Sequence, residues 1–215
     1  MMRSQGGPVG YARPVQKLRF AGVFLSILVA PVALAQTASV DGLVAQRVAA
    51  ERAHAWRIAA WGAASLAAGT TLVLSSRAAG KRGRRAFGLQ TAGWGVINSG
   101  IAVAALTLTG DAPTSWAEAI GAEDHLGNVM LVNLGLDVGY VLVGATLLAV
   151  AGRGVPTPAA WRGHGAAVVA QGVMLLALDV IVYAGSSDRL EALVGLAPHA
   201  SLGLTPAGLT LQLPF

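Results

Sequence analysis

Two aspartates lie in the most apolar parts of this chain, and they are the residues best suited to chemistry. Asp137 lies within NLGLDVGYVLVG (133–144), and Asp179 lies within LALDVIVYAG (176–185). An ionised aspartate in the centre of a bilayer costs about 3 kcal/mol or more when it has no partner. No Lys or Arg lies in the middle of either segment. The pattern therefore predicts that the carboxyls are protonated or that a bound cation neutralises them.

Other polar side chains repeat at helical spacing beside the two aspartates. Asn133, Asp137 and Tyr140 are spaced i, i+4, i+7. Asp179 and Tyr183 are spaced i, i+4, so each set lies on one face of a helix. We expect these faces to meet inside a helical bundle, with both aspartates at a similar depth. The candidate site residues are Asn98, Asn133, Asp137, Tyr140, Gln171, Asp179 and Tyr183.

This polar layer has two interpretations, which the residues alone leave open. In the first, the side chains hydrogen-bond across helices and hold the bundle together. In the second, they bind a small ligand, a proton or a cation. Gly135 and Gly139 flank Asp137 at a spacing of four residues, which predicts that a neighbouring backbone approaches closely there.

The composition places this polar layer in a membrane protein. The chain has 215 residues, of which 54% are hydrophobic and 12% are charged, whereas soluble domains have about 25% charged residues. Mean hydropathy is +0.62. The chain has no cysteine, which excludes disulfides and thiolate metal sites. The net charge of +5 does not indicate nucleic-acid binding, because the basic residues concentrate near the N-terminus and in one short loop.

The elements that carry the polar residues are predicted to be four transmembrane helices. Their predicted bounds are 56–74, 86–108, 126–150 and 166–184, each close to the ~20 residues that cross a bilayer. The fold class is therefore all-α, a four-transmembrane-helix bundle preceded by a signal peptide and a short amphipathic helix. The four domains are 1–35 signal peptide, 36–55 periplasmic amphipathic segment, 56–184 transmembrane domain and 185–215 periplasmic tail.

Loop charges predict how the bundle is oriented. The loop at 75–86 carries five positive charges, the loop at 109–125 carries four acids and no Lys or Arg, and the loop at 151–165 carries two arginines. The positive-inside rule puts the first and third loops in the cytoplasm of a bacterium and both mature termini in the periplasm. Within the acidic loop, Ser115 and Glu118 have the spacing of a helix-capping box.

No enzyme motif is present, so the sequence predicts a non-enzymatic protein of the bacterial inner membrane without a cofactor. The expected partners are the lipid bilayer and a second copy of the chain. No nucleic acid is expected, and no protein partner is identified. One alternative is a small proton-coupled transporter that acts as an oligomer. A lesser alternative is a site on the periplasmic side near His54, His125 and His199, either a metal site with Glu123 or Asp124 or haem ligation by two of the histidines.

Three segments in order resemble a known group. They are GWGVINSGIA, LVNLGLDVGYVLVG and GHGAAVVAQGVMLLALDVIVY. In this the chain is similar to an uncharacterised bacterial family of small four-helix integral membrane proteins, a domain of unknown function. The resemblance covers residues 56–183. It implies the four-helix fold and supplies no activity, cofactor or catalytic residue.

Overall fold

The computed structural model describes residues 39–76, 80–108, 110–197, 201–205 and 208–212. These residues form four helices and a short β-hairpin. The elements are α1 (Val40–Leu74), α2 (Arg82–Thr107), α3 (Trp116–Val150), α4 (Pro158–Gly195), β1 (Ser201–Thr205) and β2 (Gly208–Gln212). The predicted signal peptide at 1–35 lies outside the described residues.

All four helices are long and apolar enough to cross a membrane. The predicted all-helical bundle of four such helices is therefore confirmed. The helices are longer than their predicted spans: α1 joins the predicted amphipathic segment to the first span, α3 begins at Trp116, and α4 ends at Gly195. The reason for the last difference is that no proline occurs between Pro158 and Pro198, so nothing in the sequence breaks α4 at residue 184.

The four helices begin in two different ways. Ser39 Oγ accepts a hydrogen bond from the amide of Gly42 at 3.1 Å, and Ser115 Oγ accepts one from the amide of Glu118 at 3.2 Å. These side chains satisfy amides at the starts of α1 and α3. The serine half of the predicted capping box is therefore present, whereas the Glu118 carboxylate accepts from the amide of Thr114 at 2.8 Å. By contrast, α2 and α4 begin without a side-chain cap.

Two helix pairs form the bundle, and glycines let the backbones of each pair touch. α1 packs along α2, α3 packs along α4, and α4 also contacts α1 and α2. A Cβ at Gly62 would lie 2.7 Å from the amide nitrogen of Ser99. A Cβ at Gly144 would lie 2.8 Å from the carbonyl oxygen of Gly165. Such distances leave no room for a side chain, so these contacts fix the register of each pair.

The close approach predicted at Gly135 and Gly139 is wrong. A Cβ at either position would meet nothing within 4 Å. The physical reason is helical periodicity: residues two positions away from the inward-facing Asp137 point to the opposite side of α3.

The bundle buries polar side chains and exposes large apolar ones. The buried polar and charged residues include Ser65, Asn98, Glu123, Asp137, Gln171, Asp179, Ser186 and Arg189. The exposed apolar residues include Val96, Ile97, Ile101 and Val103 on α2 and Val132, Leu136, Leu142 and Val143 on α3. The interior also contains apolar residues such as Leu178 and Leu193. The difference from a soluble helical bundle, in which the helices turn their apolar faces to the core, therefore lies in the apolar outer surface.

The last strands form a two-stranded antiparallel hairpin. Leu202 pairs with Leu211, and Thr205 pairs with Gly208. The region predicted as a tail, 185–215, therefore contains the end of α4 and this hairpin.

Candidate functional site

The central polar layer is built around Gln171 of α4, which is only 1% exposed. Gln171 Oε1 accepts hydrogen bonds from Trp61 Nε1 at 2.7 Å and from Asn98 Nδ2 at 3.3 Å. Gln171 Nε2 donates to Ser65 Oγ at 3.1 Å. One amide side chain thereby ties α4 to both α1 and α2.

Asp137 of α3 lies at the same depth as Gln171. A Cβ at Gly172 would lie 2.9 Å from the backbone carbonyl oxygen of Asp137, so the residue beside Gln171 packs against Asp137. The Asp137 side chain is 3% exposed. Its Oδ2 atom is buried and has no hydrogen-bond partner, and the same holds for Asn98 Oδ1. Two buried acceptor atoms at this level therefore lack a donor.

An aromatic contact lies next to this layer, on the side towards the start of α2 and the end of α3. The rings of Trp94 and Tyr140 meet edge to face, with centroids 4.8 Å apart and an angle of 69° between the planes. Trp94 lies about one turn before Asn98, and Tyr140 lies about one turn after Asp137. The two helices run in opposite directions, so the contact aligns Asn98 and Asp137 at one depth.

Asp179 lies in a second polar layer with His54 of α1. His54 Nε2 and Asp179 Oδ1 are 3.2 Å apart, and both side chains are largely buried. The other ring nitrogen, His54 Nδ1, is buried and has no hydrogen-bond partner. The sequence analysis considered His54 only as a metal or haem ligand and missed this pairing.

The shared depth that the sequence predicted for Asp137 and Asp179 stays a prediction. A Cβ at Gly172 would lie 2.9 Å from the carbonyl oxygen of Asp137 and 3.0 Å from the amide nitrogen of Val141, so Gly172 lies at a level between these two residues. Asp179 lies seven residues beyond Gly172 in α4, on the same side of that level as Asp137. Asn133 is half-buried and lies one turn from Asp137, towards the level of Asp179.

Tyr183 is placed away from the central layer. It packs against the apolar cluster of Leu126, Met130 and Val182. The structure therefore brings Asn98, Asp137, Tyr140 and Gln171 to neighbouring levels. Asp179 lies further along α4 than Gln171, and Tyr183 lies beyond it.

A third polar layer joins α3 to α4 close to the start of α3. Arg189 donates from Nε to Glu123 Oε1 at 2.6 Å and from Nη2 to Glu123 Oε2 at 3.1 Å. Ser186 Oγ donates to Glu123 Oε2 at 2.7 Å, and Trp116 Nε1 donates to the carbonyl oxygen of Leu193 at 2.8 Å. This ion pair is bidentate and buried.

Sequence reasoning missed this ion pair because it assigned Arg189 to the tail. A signal was present: residues that share the buried face of α4 recur every three or four positions without interruption. They are Gln171, Leu175, Leu178, Val182, Ser186, Arg189 and Leu193. A helical period that continues to residue 193 places Arg189 on the same face as Gln171.

The described residues of the alternative metal site do not form a cluster of potential metal ligands. Among the helices and loops that the structure describes, no group of three or more His, Cys, Asp or Glu residues could hold a metal ion. The carboxylate of Glu123 binds Arg189 instead. His199 lies outside the described residues.

Comparison with known proteins identifies the family. The model of the Family of unknown function (DUF6992) matches residues 57–180. The chain belongs to this family. The DUF6992 region includes Asn98, Asp137 and Asp179 and ends before Arg189. Searches of curated proteins and of solved structures found no match.

Family membership confirms the resemblance to an uncharacterised family that the sequence suggested. DUF6992 carries no assigned activity. The function of the chain must therefore be argued from the polar layers themselves.

Proposed function

We propose that this protein is a four-span integral membrane protein of the bacterial inner membrane, with a polar interior that binds a proton or a small monovalent cation at Asp137. The proposed activity is binding rather than catalysis. The observation that carries it is the buried, unpartnered Oδ2 atom of Asp137.

The outer surface of the helices supports the membrane placement. Large apolar side chains on α2 and α3 are open to the surroundings, including Val132, which is 64% exposed. Soluble monomers rarely expose contiguous apolar patches larger than a few hundred Å². In hydrocarbon, exposed apolar side chains do not carry the free-energy cost that they have in water. Helices of 26 to 38 residues are long enough to span the hydrocarbon core of a bilayer.

The central layer supports a positively charged occupant. Asp137 Oδ2 and Asn98 Oδ1 are both hydrogen-bond acceptors, and both are buried without a donor. The amide of Gln171 is already used by Trp61, Asn98 and Ser65. Burying an unsatisfied charge is far more costly than burying a satisfied one. A proton on the carboxyl, or a cation beside it, removes this cost.

The second polar layer, formed by Asp179 and His54, contains groups that could exchange a proton with Asp137. Asp179 contacts His54, and an imidazole ring has two nitrogens that can each donate or accept a hydrogen bond. His54 and Asp179 therefore lie where a proton could pass between the central layer and the end of the bundle at which α1 begins.

The binding proposal is tested by infrared difference spectroscopy of the purified protein, with Asp137→Asn compared with Asp124→Asn. Asp124 is a matched control because it is an exposed aspartate of α3 that accepts a hydrogen bond from Asn128. Titration with acid, sodium or potassium should change a carboxyl band in the native protein and in Asp124→Asn. That change should be missing from Asp137→Asn. Identical spectra for both variants would refute the site.

The membrane placement has its own test. Reporter fusions after Arg82 and after Ala117 should report cytoplasm and periplasm, respectively, because the basic loops are expected inside. The reverse result would refute the proposed orientation. Release of the protein from membranes by alkaline carbonate would refute its integral character.

A further inference from the structure

The end of the bundle where α2 and α4 begin is strongly basic. Its basic residues are Lys81, Arg82, Arg84, Arg85, Arg153 and Arg162. No Asp or Glu occurs in 75–90 or 150–165. A Cβ at Gly83 would lie 2.7 Å from the carbonyl oxygen of Ala159, so the starts of the two helices touch. The charges of two separate loops therefore gather at one end of the molecule, called here the basic end.

The residues that the structure describes do not neutralise the cations of the basic end. All six are exposed, and none forms an ion pair with another residue in the part of the chain that the structure describes. Arg84 donates to Ser75 Oγ at 3.1 Å, which is a neutral acceptor. Elsewhere in the bundle, Arg47 pairs with Glu51 at 2.8 Å, and Arg189 is paired as described above. Arg52 of α1 is also exposed and unpaired among the described residues, but the basic end brings six such cations together without an acid beside them.

The helix N-termini at the basic end also lack a negatively charged or capping partner. Neither α2 nor α4 has a side-chain cap or an acidic residue in its first turn. At the opposite end, α1 and α3 have serine caps and an acid in the first turn, Asp41 and Glu118. Helix N-termini carry a partial positive charge, and their free amides bind phosphate oxygens well. Exposed arginines beside two such starts add to the same positive potential.

The surroundings of the basic end indicate where the anion resides. Trp161, which is 37% exposed, lies next to Arg162, and tryptophan is enriched at the level of lipid headgroups. Leu89, one turn further along α2 than Arg85, is also exposed and belongs to the apolar surface. The surface therefore changes from cations to an exposed tryptophan and then to apolar side chains. A lipid leaflet changes in the same order, from charged headgroups to acyl chains. We infer that the basic end binds the phosphate headgroups of anionic phospholipids, an inference that depends on the proposed membrane placement.

Lipid titration tests this inference. The full-length protein in a neutral detergent is titrated with phosphatidylglycerol, and the thermal unfolding midpoint is followed by tryptophan fluorescence. The test variant is Arg82→Gln/Arg85→Gln, and the matched control is Arg52→Gln, an exposed arginine of α1. Each basic residue near an anionic lipid surface contributes about a five-fold change in apparent affinity. The double variant should therefore bind phosphatidylglycerol about 25-fold more weakly, whereas the control should bind it as the native protein does.

The unfolding midpoint without lipid separates binding from a structural role. Removing positive charge from a helix N-terminus relieves repulsion by the helix dipole, so the double variant should unfold at or above the native midpoint. A clearly lower midpoint would assign the arginines a structural role and overturn the inference.

Three further results would overturn it: equal stabilisation by phosphatidylcholine, equal stabilisation by inorganic phosphate at the same concentration, or an equal loss in Arg52→Gln. If any of these occurs while carbonate-washed membranes retain the protein, the lipid site fails and the membrane placement stands. If the protein leaves the membranes, the membrane placement itself fails.

Discussion

Replacing Arg189 with methionine leaves the carboxylate of Glu123 buried without its cation. Glu123 is 1% exposed and Arg189 is 8% exposed, and the pair is joined by two hydrogen bonds of 2.6 and 3.1 Å. Removing one partner of a buried ion pair destabilises a protein by about 3 to 5 kcal/mol. Ser186 continues to donate to the carboxylate, so we expect about 3 kcal/mol for Arg189→Met.

Removing both partners should be less harmful than removing one. In Glu123→Met/Arg189→Met no charge stays buried, and Ser186 keeps its 3.1 Å hydrogen bond to the backbone carbonyl of position 123. Apolar replacements of whole buried pairs are often neutral or stabilising. We therefore expect the double variant to be about 2 kcal/mol or more stable than Arg189→Met alone.

Equilibrium unfolding in mixed micelles, in which the denaturing detergent fraction is raised, measures these free energies. Trp116 is a suitable probe because its indole nitrogen donates to the carbonyl oxygen of Leu193, one turn from Arg189. If Arg189→Met unfolds like the native protein, the carboxylate is hydrated and the buried pair is refuted. The single variant Glu123→Met completes the comparison. If the double variant loses as much free energy of unfolding as Arg189→Met and Glu123→Met lose in sum, the two residues do not interact.

Four further substitutions probe other contacts. Gly95→Ala should destabilise the α1–α2 pair by about 1 to 3 kcal/mol, because a Cβ there would lie 2.8 Å from the carbonyl oxygen of Gly62, and thermal unfolding should show it. Gly93→Ala, with nothing within 4 Å, should have no such cost. Gln171→Leu should cost about 1 to 3 kcal/mol for each donor left without an acceptor, as measured by unfolding in mixed micelles. Ser115→Ala should cost about 1 kcal/mol and speed amide hydrogen exchange in the first turn of α3.

Each of these has an outcome that would contradict it. Equal midpoints for Gly95→Ala and Gly93→Ala would mean that α1 and α2 do not touch. An unchanged free energy of unfolding for Gln171→Leu would mean that water satisfies its partners. Unchanged exchange in Ser115→Ala would mean that the cap contributes nothing.

Periodicity and hydropathy were sufficient to predict the four helices and several interior residues. Asn98, Asp137 and Gln171 are isolated polar residues in apolar helices, and the cost of exposing such residues to hydrocarbon was the reason for predicting that they point inward. The same argument failed at Gly135 and Gly139, because a glycine pair indicates close packing without indicating which face is packed.

The partners of the polar residues were beyond the reach of the sequence. Gln171 binds Trp61, which lies 110 positions earlier, and Asp179 contacts His54 on a helix that sequence reasoning divided in two. Both pairings depend on the register between helices. Backbone contacts of single glycines set that register to within one residue, and hydropathy patterns carry no information about it.

The position of α4 in the chain has a consequence for how the protein is made. Polar side chains of the other three helices find partners on α4: Trp61 and His54 from α1, Asn98 from α2, and Glu123 from α3. A ribosome delivers α4 after all of them. During synthesis the polar groups of the first three helices therefore lack these partners until α4 emerges. Ribosomal pausing before α4 would prolong the time in which these polar groups are unpaired and the incomplete chain is open to quality-control proteases. Insertion of α4 would supply all of these partners at once.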